Sequence, residues 1–414
     1  MLERNHIREL LDVSHWHYKS EGNASIALSY VGISPEFNGV AMRVRKAMED
    51  PTEETDEPEE NAMIYTSAIS NLIGTDYVGD SKILSVTPEF LAALAQNIEP
   101  HRPEHRLHKS VQTQRDHAAL VPDHTIISNG TGPTIAFEIK PKWGYLPSSP
   151  YIENEIKRRT CRFCMHQYLK NPQGGLSSFC PLDLYSQNAD RMREALENIF
   201  EKPQNNLKVF VDGQVMKSID DLEKWGITRE EAKELLVSIL LQEGILPRLK
   251  HLQSSLDPLG VEAIASLYAR HSFSSLPEPT LDEWRHTIAQ YIERGKTART
   301  LATLDQIEEE EAKAWVREFL LAATIKDCSI MIAIRGATDA KENPKDAQQL
   351  FPDNVRHLSW QPTSTHLAKT HFVYKVRVLD LDPKPWSRVP YYLEQDRKIV
   401  GAFLEKGAEK SCIE

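Results

Sequence analysis

The sequence predicts an α+β fold with two lobes, in which a small strand-rich lobe is followed by a larger helical lobe. Three observations support this prediction: strand patterns dominate the first 48 residues, helical patterns dominate after residue 175, and strand patterns return near the end of the chain. Strands and helices that are segregated along the chain are typical of α+β architectures. With 414 residues, of which 40% are hydrophobic and 26% charged, the chain has an ordinary globular composition and can form a sizeable core.

The first part of the chain predicts a short helix and then strands. Strand patterns at 26–31 and 40–45 are joined by a turn that contains Gly and Pro. Residues 49–60 contain eight acidic residues and two prolines, a composition that favours a disordered insertion. Helical patterns follow at 62–73 and 87–98.

The second part predicts helices framed by a few strands. Capping boxes at Thr228 and Thr280 open two of the helices. We expect a first domain at 1–124, which ends in a hinge near 121–124, and a second domain at 125–414. The other predicted elements are helices at 190–200 and 308–323 and strands at 207–211, 328–334 and 372–380.

One basic stretch stands out in this acidic chain. Residues 138–170 contain seven Lys/Arg against three Asp/Glu, a local charge of +4 in a chain of net charge −11. A strand pattern at 135–140 places Glu138 and Lys140 on one face. Such a cluster suits a dense polyanion better than a single phosphate, although a solvated helix face is the alternative. A predicted helix at 153–170 repeats basic residues every fourth position, namely Arg162, His166 and Lys170.

Two aspartates are candidates for catalysis. Asp327 directly precedes the predicted strand 328–334, and Asp380 ends the strand that begins at residue 373. If these strands pair, we expect both carboxylates to converge at one end of a hairpin. The alternative for each is a turn or cap carboxylate. A phosphate cradle is a further candidate at residues 22–25, where a hairpin turn is the alternative.

Composition also bears on location and on a metal site. The longest apolar run, 235–241, is too short to cross a membrane, and the start of the chain lacks an apolar signal core. The five cysteines are odd in number and scattered, which fits a reducing compartment. We therefore expect a protein of the cytoplasm, the nucleus or both, without a membrane or a specific nucleic-acid partner. Cys161 and Cys164 suggest zinc, but no second CxxC exists and we expect no structural zinc.

Several blocks of this sequence resemble the inositol-pentakisphosphate 2-kinases. They occur in family order over nearly the whole chain, and the resemblance fits a fungal-type member. Plant members carry a Cys-Pro-x-Cys insertion, whereas the corresponding loop here has no cysteine. The blocks are Glu138-Ile-Lys-Pro-Lys-Trp-Gly-Tyr-Leu-Pro147, Arg162-Phe-Cys-Met-His-Gln-Tyr-Leu-Lys170, Pro203-Gln-Asn-Asn206, Lys326-Asp-Cys-Ser329 and Asp380-Leu-Asp-Pro-Lys-Pro385.

This resemblance implies a protein-kinase-like inositol phosphate kinase architecture and an ATP-dependent reaction. The enzyme would phosphorylate the 2-hydroxyl of inositol 1,3,4,5,6-pentakisphosphate to give inositol hexakisphosphate (phytate), with ATP and Mg²⁺ as cofactors. Asp327 would orient and deprotonate the hydroxyl, and Asp380 would bind Mg²⁺. We expect a monomer. The alternatives are a kinase of a less phosphorylated inositol and a non-catalytic inositol polyphosphate-binding protein on the same fold.

The resemblance also implies which residues bind each substrate. Glu138 resembles a carboxylate of the nucleotide region, but an ion pair with Lys140 or Arg43 is equally expected. The hinge pair would meet adenine mainly through backbone groups. The expected nucleotide contacts are Gly22, Asn23, Ala24, Ser25, Arg43, Asp123, His124, Glu138 and Lys208. The expected inositide contacts are Arg106, Lys140, Lys142, Arg162, His166, Lys170, Asn205, Asn206, Lys384, Arg388 and Tyr391, with Tyr392 as an alternative to Tyr391.

Overall fold

A computed structural model describes residues 4–22, 24–47, 59–128, 130–171, 173–295, 303–337, 349–351, 354–360 and 371–414. Asn23 and residues 49–58 of the expected acidic insertion lie outside this part of the chain. The described residues form a mixture of helices and antiparallel sheets, which confirms the α+β class. None of the helices in the described ranges is both long and apolar enough to cross a bilayer.

The first sheet has five strands. Its spatial order is β1-β2-β3-β5-β4, and every neighbouring pair is antiparallel. One face of this sheet packs on a core that includes Trp16, Leu28, Met42 and Leu94. The strands are β1 (Trp16–Glu21), β2 (Ser25–Tyr30), β3 (Val40–Arg45), β4 (Lys82–Ser85) and β5 (His117–Pro122).

The second sheet has six strands and is also antiparallel throughout. Its spatial order is β10-β11-β9-β6-β7-β8. The central strand β9 is buried along seven of its eight residues. Its Ile330, Ile332 and Ile334 belong to the large core that the helices share, whereas Met331 and Ala333 belong to a smaller cluster of strand and loop residues. The strands are β6 (Thr134–Ile139), β7 (Leu207–Val211), β8 (Gln214–Val215), β9 (Ser329–Gly336), β10 (Arg356–Ser359) and β11 (His371–Leu379).

Most helices pack beside the second sheet. Both predicted capping boxes are present, since the Thr228 and Thr280 hydroxyls accept from the third helical N–H and the glutamate there accepts from the cap N–H. The helices are α1 (Arg4–Leu10), α2 (Glu59–Ile73), α3 (Pro88–Ile98), α4 (Arg162–Lys170), α5 (Pro181–Leu184), α6 (Ala189–Glu201), α7 (Arg229–Glu243), α8 (Ile245–Ser255), α9 (Gly260–Arg270), α10 (Leu281–Arg294), α11 (Glu309–Asp327) and α12 (Val389–Glu405).

The chain passes from the first sheet to the second between β5 and β6. Helix α2 precedes this crossing, yet Tyr65 and Ile69 of α2 belong to the core of the second sheet, and Tyr65 packs edge-on against Trp284 of α10. A boundary at residue 124 therefore separates the two sheets but not the two cores. The apolar face of α2 decides this, because it is buried against helices that come much later in the chain.

The expected continuous helix at 153–170 is wrong. The chain forms a short 3-10 helix at Glu155–Arg158 and then starts afresh at α4, because Cys161 is extended (φ −67°, ψ 149°) and caps α4 with its own side chain. Arg162, His166 and Lys170 all lie in α4, so their spacing by one turn is retained.

Candidate active site

Four neighbouring strands of the second sheet have an end on the same side of the sheet, where β6 and β11 finish and β7 and β9 begin. This side is called the sheet edge below. Ile139 at the end of β6 pairs with Leu207 at the start of β7, and Ser329 at the start of β9 pairs with Leu379 at the end of β11. The paired strands β9 and β11 bring the two candidate aspartates to one edge, although β10 lies between them in the chain and they do not form a simple hairpin. The residues just beyond these strand ends are Lys140, Asn206, Asp327 and Asp380.

Asp327 is the last residue of α11 and lies between two lysines. Its carboxylate oxygens are 3.8 Å from Lys142 Nζ and 3.3 Å from Lys384 Nζ. An acidic side chain at the negative end of a helix is electrostatically unfavourable, by about 0.3–1 kcal/mol. The two lysines offset this cost, and 59% of the Asp327 side chain remains exposed.

Asp380 follows β11 in a left-handed backbone conformation (φ +63°). Its Oδ2 accepts hydrogen bonds from Ser329 Oγ at 2.8 Å and from Lys140 Nζ at 3.0 Å. Burial raises the pKa of this carboxyl, but Lys140, the Ser329 hydroxyl and Arg43 together bring the pKa below its ordinary value. Asp380 is therefore ionised at neutral pH, and the charge on Arg43 of β3 reaches it from the first sheet.

The two lysines of the 140–147 loop are held by a buried backbone. Gln253 of α8 accepts from Gly144 N at 2.8 Å and donates to the Lys142 carbonyl at 3.0 Å. Gly144 packs against Tyr185 so closely that an added Cβ would lie 2.6 Å from the ring. Lys142 itself has a left-handed φ of +63°. Backbone strain of this kind persists where the surroundings enforce it, often at functional sites.

Lys326, at the end of α11, contacts the aromatic side chains of the same loop. It is buried, forms a 2.5 Å ion pair with Asp257, and its Nζ lies 4.0 Å from the centre of the Trp143 ring. Tyr145 donates a hydrogen bond to the same Asp257 at 3.1 Å. Trp143 and Tyr145 thus pack around the buried ammonium group of Lys326. This packing fixes the position of the loop that carries Lys140 and Lys142.

The basic residues of α4 have different environments. Burial lowers the pKa of Lys142 and Asp327 raises it, while the charges of Lys140 and of Lys170 in α4 lower it, so the net pKa lies below its ordinary value. Burial, with Lys170, Arg162 and Lys142 nearby, lowers the pKa of His166 from 6.5 to about 4. His166 is therefore neutral at pH 7, whereas the sequence pattern grouped it with the cations.

Arg162 is engaged in a structural network. Its Nη1 lies 2.5 Å from Asp396 Oδ1, and its guanidinium lies over the Trp143 ring at 5.2 Å. The buried Lys157 lies 2.7 Å from the other oxygen of Asp396. Arg162 therefore joins α4 to α12, and this geometry favours a supporting role over the expected direct contact with the inositide.

The structure gives Asp123 a supporting role as well. Its Oδ2 is 2.6 Å from Lys19 Nζ, its Oδ1 accepts from Thr125, its N–H donates to Gly39 and its carbonyl accepts from Lys375. These bonds engage the backbone N–H and carbonyl of Asp123, one of the two residues that were expected to meet adenine. Nδ1 of His124 is buried and makes no hydrogen bond to any residue that the structure describes.

The other residues that were expected to contact the nucleotide lie in or beside strands of the two sheets. Glu138 pairs with Lys208 at 3.4 Å and accepts from Ser329 at 3.2 Å, so its ion-pair partner is neither Lys140 nor Arg43. At the β1–β2 hairpin Gly22 N donates to Ser25 O at 2.9 Å, while Ala24 and Ser25 follow Gly22 in the turn. The Nη2 of Arg43 lies 3.4 Å from Ser25 Oγ.

The remaining inositide candidates differ in burial and in their surroundings. Asn206 is buried with an Oδ1 that lacks a partner among the described residues, and Asn205 is exposed. Arg106 lies in a 3-10 helix between α3 and β5, where its charge acts on Tyr18.

Near the start of α12, Arg388 lies over the Tyr391 ring at 4.9 Å. The alternative Tyr392 packs on Phe319, and its pKa is raised by burial and, among other charges, by Asp327. Tyr391 is therefore the exposed member of the pair, whereas Tyr392 lies close enough to Asp327 for the charge of that residue to act on it.

Sequence reasoning missed three supporting residues and one cluster. Ser329 and Lys326 lie in the Lys326–Ser329 block, which was the available signal, whereas nothing in the sequence singled out Gln253. The argument against zinc rested on the absence of a second CxxC, but the fold brings the sulfurs of Cys180 and Cys412 within 4.8 Å of those of Cys161 and Cys164.

The arrangement can bind a polyanion and transfer a phosphoryl group. It combines an accessible carboxylate for a hydroxyl, a second ionised carboxylate for a metal, and lysines that can move from carboxylate to phosphate. A sequence profile described as inositol-pentakisphosphate 2-kinase matches residues 18–398. The chain is 30% identical to the inositol-pentakisphosphate 2-kinase IPK1 of Oryza sativa subsp. indica over 96% of this chain and 95% of the relative.

Two other relatives carry the same name. The chain is 29% identical to the inositol-pentakisphosphate 2-kinase of Arabidopsis thaliana over 99% of this chain and 97% of the relative. It is 27% identical to that of Danio rerio over 95% and 94%.

Proposed function

Since the chain belongs to the inositol-pentakisphosphate 2-kinase family, we propose that it transfers a phosphoryl group from ATP to the 2-hydroxyl of inositol pentakisphosphate. The product is inositol hexakisphosphate. The observation that carries this proposal is the single sheet edge at which Asp327 and Asp380 each lie beside a lysine, at 3.3 Å and 3.0 Å respectively.

Asp327 is the residue that we assign to the hydroxyl. Its exposed carboxylate projects from a helix end rather than from a loop, so it is held in place by the body of α11. It would accept a hydrogen bond from the 2-hydroxyl and take its proton as the oxygen attacks the γ-phosphorus. Lys142 and Lys384, which now balance its charge, can contact phosphates on either side of that hydroxyl.

Asp380 is the residue that we assign to Mg²⁺. An ionised, half-exposed carboxylate is the kind of hard oxygen ligand that this ion prefers, and Lys140 and Arg43 keep it ionised. When bound with ATP, Mg²⁺ would neutralise charge on the transferring phosphates. Asp380 would hold that complex in place, and the left-handed backbone would aim its carboxylate beyond the sheet edge.

We further propose that, as in kinases, residues of both sheets contact the nucleotide. Arg43 of β3 would contact ATP phosphates from the first sheet, next to Gly22, Ala24 and Ser25, while Glu138 and Lys208 border the same region from the second sheet. This is supported by the effect of Arg43 on Asp380 across the gap between the sheets. The monomeric state and the lobe boundary expected from the sequence belong to this proposal.

The inositide side comprises the loop lysines, the end of α4 and the start of α12. An inositol with five phosphates of roughly −1.5 to −2 charges each needs many donors. Each charge-assisted contact contributes about 1.5–3 kcal/mol, so several together outweigh the cost of ordering. The proposed contacts are Lys140, Lys142, His166, Lys170, Lys384, Arg388 and Tyr391, with Arg106, Asn205 and Asn206 at the margin.

The test is a chromatographic assay of the purified chain with Mg-ATP and each of several inositol phosphates. We expect phosphorylation of inositol pentakisphosphate at the 2-position, identified by ³¹P NMR. Asp282→Asn, a change at an exposed position in the first turn of α10, should retain activity as a matched control. Binding of the pentakisphosphate without turnover would overturn the proposal in favour of a non-catalytic binding protein. Preferred turnover of a less phosphorylated inositol would overturn the substrate assignment.

A further inference from the structure

Three charged side chains are buried together at the end of β1. Glu21 is the last residue of this strand, and its carboxylate pairs with Lys46 and with Arg102. The side chains of Glu21, Lys46 and Arg102 are 2%, 2% and 5% exposed, and they form what we call the Glu21 cluster. Charges that are removed from water in this way are costly unless they are paired and well bonded. Neither the phosphoryl transfer nor the proposed substrate contacts use any of the three.

Arg102 joins Glu21 to the segment that carries Arg106. Its Nε and Nη2 lie 3.1 Å and 2.9 Å from the two carboxylate oxygens of Glu21, a bidentate geometry that fixes orientation as well as position. The same Nη2 lies 2.9 Å from the carbonyl oxygen of Arg106 and 2.7 Å from that of Lys109. One guanidinium group therefore holds the backbone from which the Arg106 side chain extends.

The charge of Arg106 acts on the same end of β1. Tyr18, also in β1, donates a hydrogen bond from its hydroxyl to Glu21 Oε1 at 3.4 Å. Burial and then the charge of Glu21 raise the pKa of Tyr18 to about 12, while the charges of Arg102 and Arg106 act to lower it. The side chain that is proposed to meet the inositide therefore lies near the Glu21 cluster.

Lys46 joins Glu21 to the turn after β1. Its Nζ pairs with Glu21 and donates to the Gly22 carbonyl at 2.9 Å, and its backbone N–H donates to the Ala24 carbonyl at 3.0 Å. Burial raises the pKa of Glu21, but Arg102 and Lys46 together lower it by more, so the carboxylate is ionised at neutral pH. One charged carboxylate thus holds two cations, and Lys46 fixes the turn that is proposed to contact the ATP phosphates.

We propose that Glu21 is a positioning residue for both substrates. Through Arg102 it sets the position of Arg106 towards the inositide, and through Lys46 it sets the turn that contacts the ATP phosphates. This inference rests on the proposed function. Because Glu21 is shared by the two binding elements, its loss acts on both substrates, whereas Arg102 and Lys46 each serve one of them.

Calorimetric titrations of the full chain with inositol pentakisphosphate and, separately, with Mg-ATP test this assignment, and steady-state kinetics are measured beside them. Glu21→Gln, which keeps the size of the side chain but removes its charge, should weaken the binding of both ligands about 10-fold or more. Both KM values should rise, with kcat changed by less than about threefold, because the proposed reacting groups Asp327 and Asp380 lie at the second sheet.

Two further variants separate the two arms of the Glu21 cluster. Arg102→Lys keeps the charge but loses the bidentate geometry, so it should weaken the inositide and leave Mg-ATP binding near that of the wild type. Lys46→Gln leaves Glu21 paired with Arg102, so it should weaken Mg-ATP and leave the inositide nearly unchanged. Glu89→Gln, at an exposed position in the first turn of α3, is the control and should alter neither affinity.

Unchanged affinities in Glu21→Gln would overturn the assignment, as would an equal loss of both ligands in Arg102→Lys and Lys46→Gln, which is the result of a merely structural role. If circular dichroism shows that Glu21→Gln does not fold, the opposite selectivities of the other two variants decide instead. Because the titrations need no turnover, binding of both ligands without phosphoryl transfer would refute the proposed function and leave the positioning role standing. A wild-type chain that binds neither ligand would overturn both.

Discussion

At the scale of single residues, the two aspartates owe their properties to their immediate neighbours. Asp380 is ionised because Lys140, Ser329 and Arg43 outweigh its burial. Asp327 tolerates the negative end of a helix because two lysines face it. The same lysines are the proposed phosphate contacts. When the substrates bind, these lysines would therefore exchange their carboxylate partners for phosphates.

The first prediction separates the roles of the two carboxylates. Asp327→Asn should lower kcat by about 10²–10⁴-fold, as expected for loss of a general base, while binding of both substrates by calorimetry stays near that of the wild type. Asp380→Asn should raise the Mg²⁺ concentration needed for half-maximal activity, and its fold should survive because Asn tolerates left-handed backbone. Near-normal turnover by Asp327→Asn would remove this residue from the chemistry.

The second prediction concerns the proton on His166. Its pKa of about 4 in the folded protein is below the ordinary 6.5, so the unfolded chain binds the proton more tightly and stability falls as pH drops from 6.5 towards 4. Phosphates beside the imidazole would raise this pKa. Inositide binding near pH ~5.5 should then take up more protons in wild type than in His166→Gln, with no difference near pH ~8.

Calorimetry in buffers of different ionisation enthalpy measures this proton uptake. The His166→Gln variant serves as the control, because protons taken up by the phosphates themselves are common to both proteins. Equal uptake at the lower pH would mean that no phosphate approaches the imidazole.

At the scale of elements, the 140–147 loop is rigid although it lacks regular secondary structure. Its backbone bonds to Gln253, its aromatic rings surround the buried Lys326, and Gly144 fits against Tyr185. A loop held in this way can present two lysines at fixed positions, which lowers the cost of ordering them around a substrate. The neighbouring α4 is anchored to α12 by the ion pair between Arg162 and Asp396.

The third prediction tests this loop with one methyl group. Gly144→Ala places a carbon 2.6 Å from the Tyr185 ring, so we expect a loss of about 1–3 kcal/mol in the free energy of unfolding. We also expect a higher KM for the inositide, with little change in the KM for ATP. Gly401→Ala in α12 is the matched control, because nothing lies within 4 Å of its added carbon and Ala favours helix. Unchanged stability of Gly144→Ala in urea denaturation would show that the loop can shift freely.

At the scale of the whole molecule, one buried ion pair connects the two sheets. Lys19 of β1 meets Asp123 at the crossing between the sheets, and Lys375 of β11 donates to the Asp123 carbonyl. Burial raises the pKa of Asp123, but Lys19 and Thr125 together lower it by more than burial raises it. The net pKa therefore lies below its ordinary value of 3.8. The pair thus contributes stability above that pH and loses it as the pH falls through the folded pKa.

The fourth prediction follows from this pair. Asp123→Asn leaves Lys19 buried without a counter-charge, which should cost about 3–5 kcal/mol of unfolding free energy at neutral pH. The difference from wild type should shrink as the pH falls below about 4, because the unfolded wild-type chain then takes up a proton at this carboxyl, and the difference should level off once the pH passes below the lowered pKa of the folded protein. Urea titrations at several pH values measure it. Glu153→Gln, which breaks the exposed pair with Arg397, should cost no more than about 1 kcal/mol; an equally small cost for Asp123→Asn would show that the sheets do not depend on this contact.

Local patterns in the sequence were sufficient for most elements. The strand at 207–211, the helix near 189–201 and both capping boxes were predictable, because alternation, amphipathicity and capping act within a few residues. The break before α4 was not predictable, since Cys161 is held in extended conformation beside Cys412, a residue at the far end of the chain.

The sequence by itself determined the α+β class, the family and the chemical types at the site, because blocks such as Glu138–Pro147 and Lys326–Ser329 specify residues at fixed short spacings. Only the tertiary structure decided which of those residues meet. It paired β9 with β11 and so joined Asp327 and Asp380, it occupied Asp123 and Arg162 with buried partners, and it gathered four cysteines from three segments. The physical reason is that burial, charge pairing and long-range contact arise only when distant segments pack together, and no local pattern records them.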